Sequence, residues 1–225
     1  MKMKLTVLAA LPLCSMLLLA ESDSEKRLDA AAGVFSEVMG TPDKSIPQGL
    51  LDKAQCAIII PGLKKGAFIF GAKYGKGYAS CRKQSGTGWG APGTVKIEGG
   101  SFGFQIGGSE TDVIMLIMNE RGMNRLLSSK FTLGADASVA AGPVGRTTDA
   151  QTDAFMTAEI LSWSRSRGVF AGVSLQGATL RQDLDGNKEL YGKPYQNRDI
   201  VLGNTAVPQP ANRLIDLLNR YSGRK

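Results

Sequence analysis

Between Lys53 and Lys96 the chain carries eight basic residues (Lys53, Lys64, Lys65, Lys73, Lys76, Arg82, Lys83, Lys96), no acidic residue and a high density of glycine. Frequent glycine disfavours a long helix through this stretch, and the bulky residues between the glycines suit extended chain. The pattern predicts strands over Ala57–Ile60, stopped by Pro61-Gly62, and over Ala67–Ala72, Gly77–Arg82, Thr94–Glu98, Phe102–Gly107 and Asp112–Met118. Phe102, Phe104 and Ile106 alternate and fall on one face. Glycine weakens a strand unless a bend, a bulge or a close approach requires it. So many glycines predict an α+β fold built on a strongly curved antiparallel sheet or partly closed barrel.

Helices frame this region. Ser22 and Glu25 form a capping-box pair, and Leu28, Ala31, Ala32, Phe35, Val38 and Met39 recur at helical spacing, predicting a helix over 24–39. Its polar side mixes Glu25, Lys26, Arg27, Asp29 and Glu37. Further helices are expected over 47–56, over 120–128, and after Pro210, where Leu214, Leu217, Leu218 and Tyr221 share a face. Extended chain is expected again at Phe131–Asp136, Phe155–Trp163 and Gly168–Gly177. Runs of strands between helices indicate α+β rather than alternating βαβ units.

Residues 1–20 hold two lysines and then an apolar run from Leu5 to Ala20, followed at once by Glu21, Ser22 and Asp23. This is the layout of a secretory leader, too short for the usual membrane span. The expected organisation is a leader over 1–22 and one domain over 23–225. Ala20 and Ser22 suit cleavage after Ser22, whereas cleavage after Ala20 leaves Leu18 in the upstream position. Leu13 before Cys14 argues against a lipoprotein signal. Loss of the leader leaves Cys56 and Cys81, as a disulfide or as two buried thiols.

Several chemistries lack their residues. The chain has no histidine, which removes the usual general base and every Ser-His or Cys-His pair. Gly75-Lys76-Gly77 and Gly86-Thr87-Gly88 match no phosphate-loop pattern and read as tight turns. Asp183-Leu184-Asp185-Gly186 puts glycine at the wrong position for an EF-hand and reads as an exposed turn. Asp112, Asp136, Asp149, Asp153 and Glu159 stand beside apolar strands, and Asp136 suits a structural hydrogen bond to backbone amides. No enzyme activity, cofactor, metal or nucleic-acid partner is expected. The candidate ligand-binding residues are Lys64, Lys65, Lys73, Lys76, Arg82 and Lys83, with Lys73 and Lys83 pointing outward if Phe68 and Phe70 face the core. Such a surface suits an anionic lipid.

Ile60-Pro61-Gly62-Leu63-Lys64-Lys65-Gly66, Gly75-Lys76-Gly77, Cys81-Arg82 and Gly103-Phe104-Gln105-Ile106-Gly107-Gly108 resemble the SYLF, or Ysc84 actin-binding, domain family. The resemblance continues through Phe131–Ser138, Gly142-Pro143-Val144-Gly145-Arg146, Ser164–Gly172 and Asn187–Gly192, covering about 28–203. It implies binding of phosphoinositide-like or other anionic headgroups by an N-terminal amphipathic helix and basic surface residues, and in yeast-type members binding of actin filaments. Bacterial members of the family are described as secreted or envelope-associated, so the resemblance implies a periplasmic or secreted protein. Behind such a leader actin is not the expected partner; an anionic phospholipid surface, or else an envelope protein, is.

Overall fold

A computed structural model describes residues 21–41, 45–68, 70–102, 107–145, 157–166, 169–173 and 175–222. The expected leader, with Cys14, lies outside them apart from Glu21 and Ser22, as do Phe104, Ile106, Asp149 and Asp153.

The chain opens on α1 (Asp23–Met39). The Ser22 side chain accepts from the Glu25 amide and the Glu25 carboxylate accepts from the Ser22 amide, so the capping box forms as expected. Helix α2 (Gln48–Lys53) begins after Pro47 and stops three residues short of the expected end, because Cys56 already belongs to a strand. The sheet strands are β1 (Cys56–Phe68), β2 (Phe70–Cys81), β3 (Gly93–Phe102), β4 (Gly107–Ile117), β5 (Lys130–Thr132), β6 (Val139–Ala141), β7 (Ile160–Ser166), β8 (Val169–Gly172) and β9 (Thr179–Gln182). Helix α3 (Glu120–Leu126) follows β4 and is capped by Asn119. Helices α4 (Leu184–Tyr191), α5 (Asn197–Leu202) and α6 (Asn212–Ser222) complete the described chain, a short 3-10 turn over Gln209–Ala211 leading into α6.

The strands form one curled sheet in the order β5-β9-β3-β2-β1-β4-β7-β6, with β8 also on β7. The expected α+β class and curved, partly closed sheet are therefore found. Pairing is antiparallel except between β6 and β7, which run parallel. Both sheet faces are covered at the centre, so β1 begins as a continuous apolar run. Ile58 and Ile60 face an inner core with Val95, Ile97, Val113, Met115 and Leu180. Ala57 and Ile59 face an outer core with Leu28, Phe35, Leu51, Trp163, Leu214 and Leu218, which packs α1, α2 and α6 on the sheet.

Two expected breaks are absent. Pro61-Gly62 does not end a strand: β1 runs through it, with a register shift against both neighbours. Gly62 takes φ +61° there, and its amide donates to the Asp112 carboxylate at 2.9 Å, so a β-bulge supplies the residue a pleated strand could not pair. Nor does Gly75-Lys76-Gly77 form a turn; it lies inside the unbroken ladder between β2 and β3. Gly75 and Gly77 leave room for the bulge, since a Cβ on Gly77 would lie 2.8 Å from Ile60 Cα and one on Gly75 the same distance from Ile60 Cγ2.

Cys56 and Cys81 are register partners on β1 and β2 and are joined by a disulfide, which resolves the two readings of this pair. Asp183 is also a correction. It is buried at the start of α4, not set in an exposed turn. Asp136 has the structural role expected of it, accepting from the Thr132 amide at 2.7 Å.

Candidate functional site

The bulge decides where the basic residues go. Before it, Ile58 and Ile60 face the inner core; after it, Leu63 does. Alternation along the strand then places Lys65 on the inner face, beyond the core, and Lys64 on the outer face. On β2, Ala79 and Cys81 belong to the inner core while Tyr78 belongs to the outer one. The regular ladder with β3 carries that parity to Lys73, inner, and to Tyr74 and Lys76, outer. Lys65 and Lys73 are direct register partners. Burial, and after it the charge of Lys73, hold the Lys65 ammonium below the ordinary lysine range. Lys73 thus shares the parity of the core-facing residues of its strand and emerges where the core has ended.

The other four residues do not join this pair. Lys76 donates to the Asp183 carboxylate at 2.8 Å, which raises its proton affinity. Lys96, its register partner on β3, reaches the same carboxylate at 3.8 Å. Arg82 is buried, with its guanidinium 4.1 Å from the Trp89 ring centre. It donates to the carbonyls of Ala54 at 3.3 Å and Leu51 at 3.2 Å, and to the carbonyl and hydroxyl oxygens of Ser222. Lys83 is exposed two residues past the end of β2, on the loop that returns to Trp89. The six residues are therefore one lysine pair with Lys64 across the sheet, one ion-paired lysine, one structural arginine and one remote lysine.

On the outer face a groove of about 940 Å³ separates α1 from the bulge. Its lining includes Lys26, Arg27, Lys64, Lys76, Glu110 and Arg165. Arg165 on β7 donates to Asp112 at 2.9 and 2.8 Å and pairs with Glu37 of α1. Since Asp112 also holds the Gly62 amide, this cluster fixes α1, β7 and the bulge together. The start of α1 is fixed separately: Glu189 of α4 accepts from the Ser24 amide at 2.9 Å and its hydroxyl at 2.7 Å. The groove is mixed in charge, as the polar side of α1 foretold. Lys26 and Arg27 reach it from α1; helical spacing showed their polar face, but not that β1 and β2 would lie across from it.

Among the described residues no carboxylate lies within ion-pair distance of Lys64, Lys65 or Lys73. Also among them, no cluster of three His, Cys, Asp or Glu residues could hold a metal, and no helix is long and apolar enough to cross a membrane.

Residues 98–221 match the family model described as Ysc84, Las17-binding protein actin regulator. The chain is 32% identical over 191 residues to SH3 domain-containing YSC84-like protein 1 of Homo sapiens, covering 84% of this chain and 55% of that protein. It is 31% identical over 191 residues to the Rattus norvegicus protein of the same name, covering 84% and 56%. With Protein YSC84 of Saccharomyces cerevisiae the identity is 32% over 186 residues, covering 81% of this chain and 39% of that one. The matches thus span about half of each animal relative and less of the yeast one. The agreement in sequence, over most of this chain, places it in the Ysc84, or SYLF, domain family.

Proposed function

We propose that the protein binds anionic lipid headgroups at a membrane surface, without catalysing a reaction, through Lys64, Lys65 and Lys73. The observation that carries this reading is the Lys65–Lys73 pair. Like charges directly opposed across two strands destabilise a sheet, and no described carboxylate relieves this pair. A phosphate bridging the two ammonium groups would do so. Lys64 adds a third cation at the same level on the other face. An exported protein, as the leader suggests, would meet such lipids on an envelope surface rather than cytoplasmic actin.

The test is flotation with vesicles of graded phosphatidylglycerol content at low and physiological salt. Each lysine near an acidic surface contributes about 1 kcal/mol, so the double variant Lys65→Gln, Lys73→Gln is expected to bind about 30-fold more weakly. Lys83→Gln is expected to bind like the parent. Equal binding by the double variant removes these residues from the site. No binding at either salt removes the lipid reading and turns the search to protein partners, which the relatives' names suggest: Las17 for the family description and an SH3-bearing architecture for the animal proteins.

A further inference from the structure

The groove between α1 and the bulge carries opposite charge at its two ends. Helix α1 crosses the strands: near its start the Tyr78 hydroxyl of β2 donates to the Ser24 carbonyl at 2.7 Å, and near its end Glu37 pairs with Arg165 of β7. At the β2 end the groove is lined by Asp23, Lys26, Arg27 and Lys76. Lys76 is bound to Asp183, but among the described residues no carboxylate lies within ion-pair distance of Lys26 or Arg27. Burial raises the proton affinity of the Tyr78 hydroxyl, the bond to Asp183 raises that of Lys76, and the Arg27 charge opposes both, which places its guanidinium beside them. At the other end stand Glu37, Glu110 and Asp112. Arg165 serves both Glu37 and Asp112, and among the described residues no cation comes within ion-pair distance of Glu110, although Lys64 is its register partner. Burial raises the proton affinity of Asp112, the Gly62 amide lowers it, and the Glu110 charge raises it again. Between the two ends Gly33 of α1 lines the groove. Glycine inside a helix is destabilising, and packing does not call for it here: no atom lies within 4 Å of the position a Cβ would take. Gly33 keeps the middle of the groove open.

We infer that this groove holds a short peptide with both termini free, its carboxylate at Lys26 and Arg27 and its ammonium at Glu37, Glu110 and Asp112. The inference goes beyond the lipid reading and does not depend on it, since Lys65 and Lys73 lie on the other face of the sheet. Each end has the chemistry of one terminus. A guanidinium binds a carboxylate through two parallel, charge-assisted hydrogen bonds, and an ammonium has three donors to offer an end where three carboxylates share one arginine. The span fits as well. Arg27 and Glu37 are ten residues apart on α1, about 15 Å at the rise of a helix. Across the sheet Lys76 and Asp112 stand on strands separated by β1, about 10 Å at the spacing of strands. An extended tripeptide reaches about 10 Å, whereas a single amino acid or a phosphoethanolamine headgroup holds its charges much closer together. A glycine midway lets a peptide backbone lie close against the helix.

The test is calorimetric titration of the purified protein with trialanine, N-acetyl-trialanine and trialanine amide, without lipid. Trialanine is expected to bind at least tenfold more tightly than either blocked peptide. Gly33→Leu leaves both charged ends intact and fills the space between them with a good helix former. It is expected to bind trialanine at least tenfold more weakly while unfolding in urea no earlier than the parent. Glu110→Gln, which breaks no ion pair among the described residues, is expected to weaken binding at least fivefold, and Lys83→Gln to leave it unchanged. Should Gly33→Leu fail to fold, Glu110→Gln decides. No binding of trialanine by the parent overturns the inference, whatever vesicle flotation shows, and so does equal binding of the blocked peptides. Equal binding by folded Gly33→Leu removes the peptide from the groove and overturns it too. Tighter binding of phosphoethanolamine than of trialanine assigns the groove to a lipid headgroup and overturns the peptide.

Discussion

Replacing Gly77 with alanine tests the account of the β1 bulge. The new Cβ would lie 2.8 Å from Ile60 Cα and closer still to the Ile59 carbonyl oxygen, where ordinary contact begins at 3.4 Å. At least 0.6 Å of movement is therefore required of backbone, not of a side chain that could turn away. That backbone is hydrogen-bonded to β2 on one side and β4 on the other, so relief disturbs both ladders. Overpacking by small groups destabilises by about 1–3 kcal/mol and at times more; a clash with a doubly paired central strand belongs at about 3 kcal/mol. Gly66→Ala is the matched control, since nothing lies within 4 Å of its Cβ position, and it should stay within about 0.5 kcal/mol of the parent. With a urea slope of about 2–3 kcal/mol per molar, Gly77→Ala should lower the unfolding midpoint by about 1 M or more. If the two variants unfold at the same urea concentration, the bulge does not depend on Gly77 and the close-approach argument is wrong.

Removing the disulfide by Cys56→Ala with Cys81→Ala opens a covalent loop of sequence separation 25, for which the chain-entropy relation gives about 3.5 kcal/mol, readable by urea titration. Arg82→Met is expected to lower stability by about 3 kcal/mol, because it leaves buried carbonyl acceptors without their charged donor. It should leave vesicle binding by the folded protein unchanged; weaker binding would restore Arg82 to the ligand site. Hydrogen bonds from Ser24 hold the Glu189 carboxyl below its ordinary value, so its contribution is complete above the unfolded carboxylate range and is lost as pH falls through the lowered folded value. Glu189 is exposed, and a carboxylate at a helix start contributes about 0.5–1 kcal/mol. Thermal unfolding of Glu189→Gln should therefore fall below the parent at pH 6 and converge on it near pH 3; a constant gap would refute the linkage.

The sequence made legible those features whose causes are local. Ser22 and Glu25 cap α1 through a three-residue contact, and the leucines of α6 repeat along one helix face. Glycine density foretold a curved sheet because each glycine is a local allowance for bending or approach. What stayed hidden depends on distant partners. Pro61-Gly62 reads as a stop until Asp112 supplies an acceptor from 50 residues away. Arg82 reads as a surface cation until Ala54, Leu51, Trp89 and Ser222 surround it. Asp183 looked like part of a turn because nothing nearby announced Lys76 and Lys96. Strands β6 and β9 are three and four residues long and take their form from the strands they pair with, so they show no pattern of their own. Within the candidate site, Lys64, Lys65 and Lys73 were legible as cations, but the bulge, which sorts them between faces, was not.

The disulfide gives the β1–β2 ladder a mechanical asymmetry. Cys56 and Cys81 clamp one end inside the inner core, while the pairing continues to Phe68 and Phe70, about 36 Å away at the rise of a strand. The ladder is a cantilever, crosslinked at its root by the disulfide, with the pairing beyond it carried by backbone hydrogen bonds. Among the described residues Leu63 is the last core side chain on β1, so bending resistance falls beyond it toward Lys65, and strain applied there reaches α1 through the bulge and the Glu37–Arg165–Asp112 brace. Amide exchange rising from Ile58 toward Ala67 would trace that gradient of stiffness.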